Sequence, residues 1–160
     1  MHKINLGEVP ESERKSPRGK YQAFSKEVSV ALGRDAWSSD PAQRHPFDVT
    51  ITRLPPGAAR CPYHLHSAQF EFYVVLAGRG EVRDEAGVTE VGAGDAFFFP
   101  PGAAHQIRNS GDADLVYYVI ADNPPGEWCY YPDSRKWNIY GASGRTILQG
   151  QEVDYFAGEE

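Results

Sequence analysis

From residue 47 onward, apolar side chains recur at every second position in short runs, and each run ends at glycine, proline or aspartate. Alternation of this kind is the signature of a strand. Residues 47–54 place Phe47, Val49 and Ile51 on one face. Residues 69–77 form the strongest run: Glu71, Tyr73 and Val75 share one face, and Phe70, Phe72, Val74 and Leu76 share the other. Both faces are largely apolar, which predicts that both are covered, by a second layer or by a partner subunit. Shorter strands are expected over 81–84, 88–91, 96–99, 105–109 and 115–120, with turns at 55–57, 78–80, 85–87, 92–95, 100–102 and 111–114. An earlier strand is read over 21–32, with Val28, Val30 and Leu32 on one face, followed by a loop over 34–46. No stretch before residue 122 carries a convincing helical period. Many short strands with closely spaced turns predict an all-β sandwich or barrel.

The ends read differently. Residues 1–20 form a polar tail broken by Gly7, Pro10, Pro17 and Gly19, and the basic group Arg14, Lys15, Arg18 and Lys20 reads as solvated. Residues 21–121 form the barrel domain. Residues 122–160 form an irregular arm rich in aromatics and proline that packs on the barrel or crosses to a partner, with one short strand over 137–140.

A chain of 160 residues with 41% hydrophobic content predicts one domain with a real core. The net charge of -6 argues against a phosphate-backbone partner, so no nucleic acid is expected. No apolar run reaches bilayer-spanning length, and the first residues carry no apolar signal core; no membrane partner and a cytoplasmic location are the expectations. Two cysteines are too few for a disulfide scaffold. Cys61 lies an odd number of residues from His64 and His66, so strand parity predicts a small apolar side chain facing away from both.

The candidate chemistry sits between residues 57 and 105. His64 and His66, two apart on an extended chain, project to one face. Ser67-Ala68 offers a turn, so Glu71 returns from the neighbouring strand, and His105 follows Pro100-Pro101-Gly102-Ala103-Ala104. Three imidazoles and one carboxylate suit one divalent transition metal: zinc, manganese, iron or nickel, with cobalt also compatible. His45 lies alone in a loop and is read as solvated.

The same residues resemble the two motifs of the cupin superfamily. The first runs Gly57, six residues, His64-Leu-His66, four residues, Glu71, six residues, Gly78, and is one residue longer before the first histidine than the family pattern. The second runs Gly94, five residues, Pro100-Pro101-Gly102, two residues, His105, three residues, Asn109, without departure. The resemblance implies a double-stranded β-helix, a small jelly-roll barrel, with a metal held inside by His64, His66, Glu71 and His105. The chain is similar to small bacterial cupins provisionally described as sugar-phosphate isomerases. That implies a metalloenzyme of isomerase or epimerase type acting on a small polar or sugar-like substrate. Tyr73, on the ligand face, is the candidate catalytic residue, to orient substrate or transfer a proton. Arg53 and Arg60 are the candidates to meet a phosphate. An iron-dependent dioxygenase with aromatic walls from Phe97, Phe99, Tyr117 and Trp128 is the alternative, beside a non-catalytic module that binds a small ligand. The doubly apolar strands and the two free ends suggest a homodimer.

Overall fold

The structure is a computed structural model that describes residues 1–35, 43–141 and 144–159. Part of the loop expected over 34–46, residues 36–42, lies outside the described residues. In chain order the described strands are β1 (Ser12–Lys15), β2 (Gln22–Glu27), β3 (Phe47–Leu54), β4 (Leu65–His66), β5 (Glu71–Ala77), β6 (Arg79–Arg83) and β7 (Val88–Gly92). They continue as β8 (Ala96–Phe99), β9 (Gln106–Arg108), β10 (Leu115–Asp122), β11 (Trp128–Tyr131), β12 (Lys136–Gly141) and β13 (Gly144–Gln149). One helical turn, α1 (Val28–Ala31), interrupts them. Among the described residues no helix is long and apolar enough to cross a membrane.

Six strands form the largest sheet, in the order β1-β2-β3-β10-β5-β8; the others run β13-β12-β11-β4 and β7-β6-β9. Every paired strand is antiparallel to its neighbour. This is the double-stranded β-helix expected from the sequence. The reason lies in the alternation. Along β10, Leu115, Tyr117, Val119 and Ala121 are buried and the residues between them only half so. Thr52 and Leu54 of β3 and Tyr73 and Val75 of β5 point the same way. With Val82 from β6 and Ile107 from β9 they close a single core. Burying each large apolar side chain contributes about 1.5–3 kcal/mol.

Asn109, the last residue of the second motif, has a purely structural place. Its amide donates to Leu54 O at 2.7 Å and Ala113 O at 2.8 Å, and its carbonyl accepts from Gly111 N at 2.9 Å. Wholly buried, it ties the end of β3 to the turn before β10 and leaves none of its polar atoms idle.

The strand expected over 21–32 stops at residue 27. Val28–Ala31 instead makes one helical turn, in which Val28 is buried and Val30 exposed. Ser29 Oγ accepts Val49 N–H at 2.8 Å, so a contact with β3 overrides the β-branched preference for strand. The ends hold more strand than expected. β1 pairs with β2, and Arg53 binds Glu11 and Asp114, so the first residues pack against the largest sheet. The arm contributes β11, β12 and β13, of which β11 pairs with β4.

Among the described residues, only one of the two apolar faces of β5 is covered. Phe70, Phe72 and Leu76 are exposed, as is Phe98 of β8, which stands opposite Phe72 and stacks with Phe70.

Candidate metal centre

The candidate ligands meet where β4, β5 and the start of β9 converge. His64 and His105 face each other across an isolated antiparallel bridge, with His64 N–H donating to His105 O at 3.1 Å and His105 N–H to His64 O at 2.8 Å. His66 lies two residues on, in β4, and Glu71 opens β5. The turn at 67–70 between them brings the carboxylate back to the imidazoles, as the turn expected at Ser67-Ala68 predicts. Ring centroids are 5.0 Å apart for His64 and His66, 4.7 Å for His64 and His105, and 6.2 Å for His66 and His105.

Each imidazole is held by its Nδ1. His64 donates to Pro62 O at 2.9 Å, His105 to Ala103 O at 3.0 Å, and His66 to Glu127 Oε1 at 3.0 Å. Carbonyl and carboxylate oxygens only accept, so Nδ1 carries a proton in all three rings and Nε2 is the nitrogen left to face a metal. Glu71 Oε2 lies 2.8 Å from His105 Nε2 and 3.5 Å from His66 Nε2, and Tyr73 Oη donates to it at 2.8 Å. His66 Nε2 is buried and has no hydrogen-bond partner. The ligand atoms of His64, His66 and Glu71 all lie within 4.8 Å of one another.

The electrostatics favour a cation. Burial alone would raise the Glu71 carboxyl, but His105 and His66 outweigh it and hold the group well below the usual range. Burial likewise disfavours a charged His66, yet Cys129, Glu127 and Glu71 together lift it above its ordinary value. Burial and the Glu71 charge push the Tyr73 phenol well up, so Oη keeps its proton at neutral pH. The Nε2 atoms of His66 and His105 converge on an ionised carboxylate that draws positive charge to this point, and the same donor set fits a divalent transition metal in place of the protons. Four protein ligands leave about two positions of an octahedral ion for water or substrate.

The five expected site residues, His64, His66, Glu71, Tyr73 and His105, are brought together. Phe99 stacks flat on His105 at 4.0 Å and Phe97 on Tyr73 at 5.2 Å, with Tyr117 behind at 5.8 Å. Trp128 does not join them and packs on Trp137 in the arm. Arg53 is also elsewhere: it is spent on Glu11 and Asp114 and lies over Phe24. Arg60 instead reaches inside the barrel, donating to Thr52 Oγ1 at 3.0 Å beside Tyr117. Among the described residues it has no carboxylate ion-pair partner. Cys61 departs from parity. Its Sγ lies 3.8 Å from His64 Nδ1, because residues 61–63 are bent and not a regular strand. Glu127 was not foreseen. No local signal marks it, since only the β11–β4 pairing carries it to His66.

Residues 50–121 match the cupin domain family. A 68-residue stretch is 35% identical to an oxalate-binding protein from Thermotoga maritima; it covers 42% of this chain, and the chain spans about half (55%) of that relative's length. Among solved structures, a cupin-superfamily protein from Silicibacter pomeroyi described as a sugar phosphate isomerase is 25% identical, with a TM-score of 0.77 over 96% of this chain and 97% of that one. A provisionally named sugar phosphate isomerase from Acidithiobacillus ferrooxidans has a TM-score of 0.78 at 22% identity, covering 93% of this chain and 92% of its own, and shares the fold.

Proposed function

We propose that this member of the cupin superfamily is a metal-dependent enzyme acting on a small, polar, anionic substrate of sugar-phosphate kind, in an isomerase or epimerase reaction. The observation that carries the reading is the convergence of histidine Nε2 atoms and the Glu71 carboxylate beside the Tyr73 hydroxyl, inside a barrel that also holds Arg60, which has no carboxylate partner among the described residues. His64, His66, Glu71 and His105 would hold the metal. When bound, such an ion polarises a carbonyl or a vicinal hydroxyl pair and stabilises developing negative charge.

The chain's own residues supply the rest. Tyr73 keeps a proton at Oη and is therefore a donor, suited to orient a substrate oxygen or deliver that proton. Arg60 offers a planar, permanently charged fork for a phosphate or carboxylate group. Phe97 and Phe99 form an apolar wall that keeps water from the reacting atoms. Support also comes from the Silicibacter pomeroyi relative, named as a sugar phosphate isomerase and alike over nearly the whole of both chains.

The test is turnover by the metal-loaded protein on a panel of aldose and ketose phosphates, with oxalate as a small dianionic probe. Isomerisation of one member is expected. Oxygen uptake by the iron-loaded protein would replace this reading with a dioxygenase. Retention of a panel member unaltered would replace it with a ligand-binding module. Arg60→Met is expected to raise KM for the charged substrate by about 10–100-fold, the loss of a charge-assisted contact, while metal content stays at the wild-type level. An unchanged KM would remove Arg60 from the site.

The exposed face of Phe70, Phe72, Leu76 and Phe98 supports a homodimer, with a second copy covering the side of the sheet that this chain leaves bare. Light scattering is expected to give about twice the 17.8 kDa protomer mass. Phe72→Asp, which buries a charge in that contact, is expected to return the protomer mass with the fold retained. A wild-type protein that runs as a protomer at all concentrations would exclude the dimer.

A further inference from the structure

We propose that Glu127, on the C-terminal arm, fixes the tautomer and orientation of His66 and thereby sets the affinity of the metal centre. The inference rests on the reading of that centre given above. His64 and His105 are oriented by carbonyls two residues away in their own loops. His66 is different, because its Nδ1 partner lies 61 residues further along the chain.

Glu127 is itself held firmly. Its Oε2 accepts from Ser67 Oγ at 3.0 Å, Ala68 N at 2.8 Å and Gln69 N at 3.0 Å. Its Oε1 accepts from Ser67 N at 3.2 Å and from His66 Nδ1. All these partners are donors, so the group serves as an ionised, acceptor-only carboxylate. The backbone adds a second tie. Cys129 pairs with His66, Ser67 N donates to Trp128 O at 2.9 Å, and Trp128 N donates to Ser67 Oγ at 2.9 Å. The arm therefore clamps residues 66–69, the segment between two candidate ligands.

The consequence follows from imidazole chemistry. With Nδ1–H committed to Glu127, Nε2, the atom that faces Glu71, is the nitrogen left for the metal. His66, Glu127 and Cys129 also lie close enough to suggest a second cation site. The carboxylate oxygens, however, are already filled by N–H and O–H donors, so the geometry points to a positioning role.

Glu127→Gln tests this, because it keeps the shape and exchanges one acceptor for a donor. With the amide oxygen on Ala68 N and Gln69 N, its NH2 faces His66 Nδ1 and requires that atom to accept. The imidazole proton then moves from Nδ1 to Nε2 and blocks the ligand atom. Zinc affinity, measured by competition with a chromophoric chelator, is expected to fall about 10–100-fold, as is usual for an outer partner of a ligand histidine. Imidazole 15N shifts of the metal-free full chain are expected to show His66 Nδ1 protonated in the wild type and unprotonated in the variant. Cys129→Ala is expected to keep a stoichiometry of one zinc equivalent, although Cys129 Sγ lies 3.4 Å from His66 Nδ1 and its loss can change the affinity.

Wild-type affinity in Glu127→Gln, an unprotonated His66 Nδ1 in the wild type, or a second zinc lost with Cys129 would each overturn the proposal. If Glu127→Gln fails to fold, the wild-type tautomer and the Cys129→Ala stoichiometry still decide. If the wild type binds no zinc, it is the metal reading that fails, and the metal-free tautomers still report on Glu127 separately.

Discussion

His105→Ala is expected to abolish metal retention: about one equivalent of a transition metal in the wild type purified without chelator, and none in the variant. The drop in affinity should exceed the roughly 100-fold upper range of an outer partner. His105 is the most deeply buried of the four candidate ligands, at 1% exposure, and its ring lies flat on Phe99. Its Nε2 is 2.8 Å from Glu71 Oε2 while its Nδ1–H is spent on Ala103 O. A neutral imidazole would set its lone pair against that of the carboxylate, an arrangement a shared cation relieves. Alanine removes the ligand nitrogen, opens a cavity beside Phe99 and leaves Glu71 without one of its two nearest partners. Elemental analysis of both proteins checks the expectation. Iron directs the next experiment to oxygen uptake; zinc, manganese or nickel directs it to isomerase and epimerase panels. No metal in either protein, even after reconstitution, would remove both enzyme readings and leave the ligand-binding module.

Gly78→Ala is expected to cost about 3 kcal/mol of folding stability or more, in the range of strained or overpacked buried sites. Gly78 has φ +81°, a conformation that side chains rarely adopt. More important, a Cβ there would sit 2.3 Å from Asp114 O and 2.9 Å from Leu115 Cα. Both are backbone atoms at the start of β10, and Leu115 is wholly buried, so neither can give way cheaply. Gly94 is the control. Its φ is +95°, but a Cβ would meet nothing within 4 Å, so alanine there is expected to cost only about 1 kcal/mol. Urea denaturation of the two variants and the wild type makes the comparison. For a chain of this size, each kcal/mol corresponds to about 2–4 °C in Tm. Equal costs at the two sites would mean that the backbone angle alone, and not the close approach of β10, requires the first motif to end in glycine.

These two residues show why so much was legible before the fold was known. Period-2 alternation decides which side chains share a face, and that rule places Glu71 with Tyr73 and puts Leu115, Tyr117 and Val119 into the core. Motif spacing adds the turns that fold His64, His66, Glu71 and His105 onto one another. The rule fails where the backbone leaves the extended conformation. Cys61 comes within reach of His64 because residues 61–63 are bent, and residues 28–31 turn helical against β3 although their composition favours strand. It also says nothing about pairing between distant segments. Arg53 and Arg60 looked equivalent by sequence, yet one is neutralised outside the sheet by Glu11 and Asp114, and the other reaches into the barrel.

The sequence by itself determined the all-β class, which side chains of the central strands share a face, and the set of four candidate ligands with Tyr73, because each follows from local periodicity and motif spacing. Long-range pairing decided the remainder: that the first residues add β1 to the largest sheet, that the outer aromatic face of β5 and β8 stays uncovered by the chain, and that β11 docks on β4. The last of these brings Glu127 to His66. A carboxylate 61 residues away has no periodic relation to the histidine it holds; only the register Cys129↔His66 fixes their contact, and register between remote strands is a property of the packed barrel.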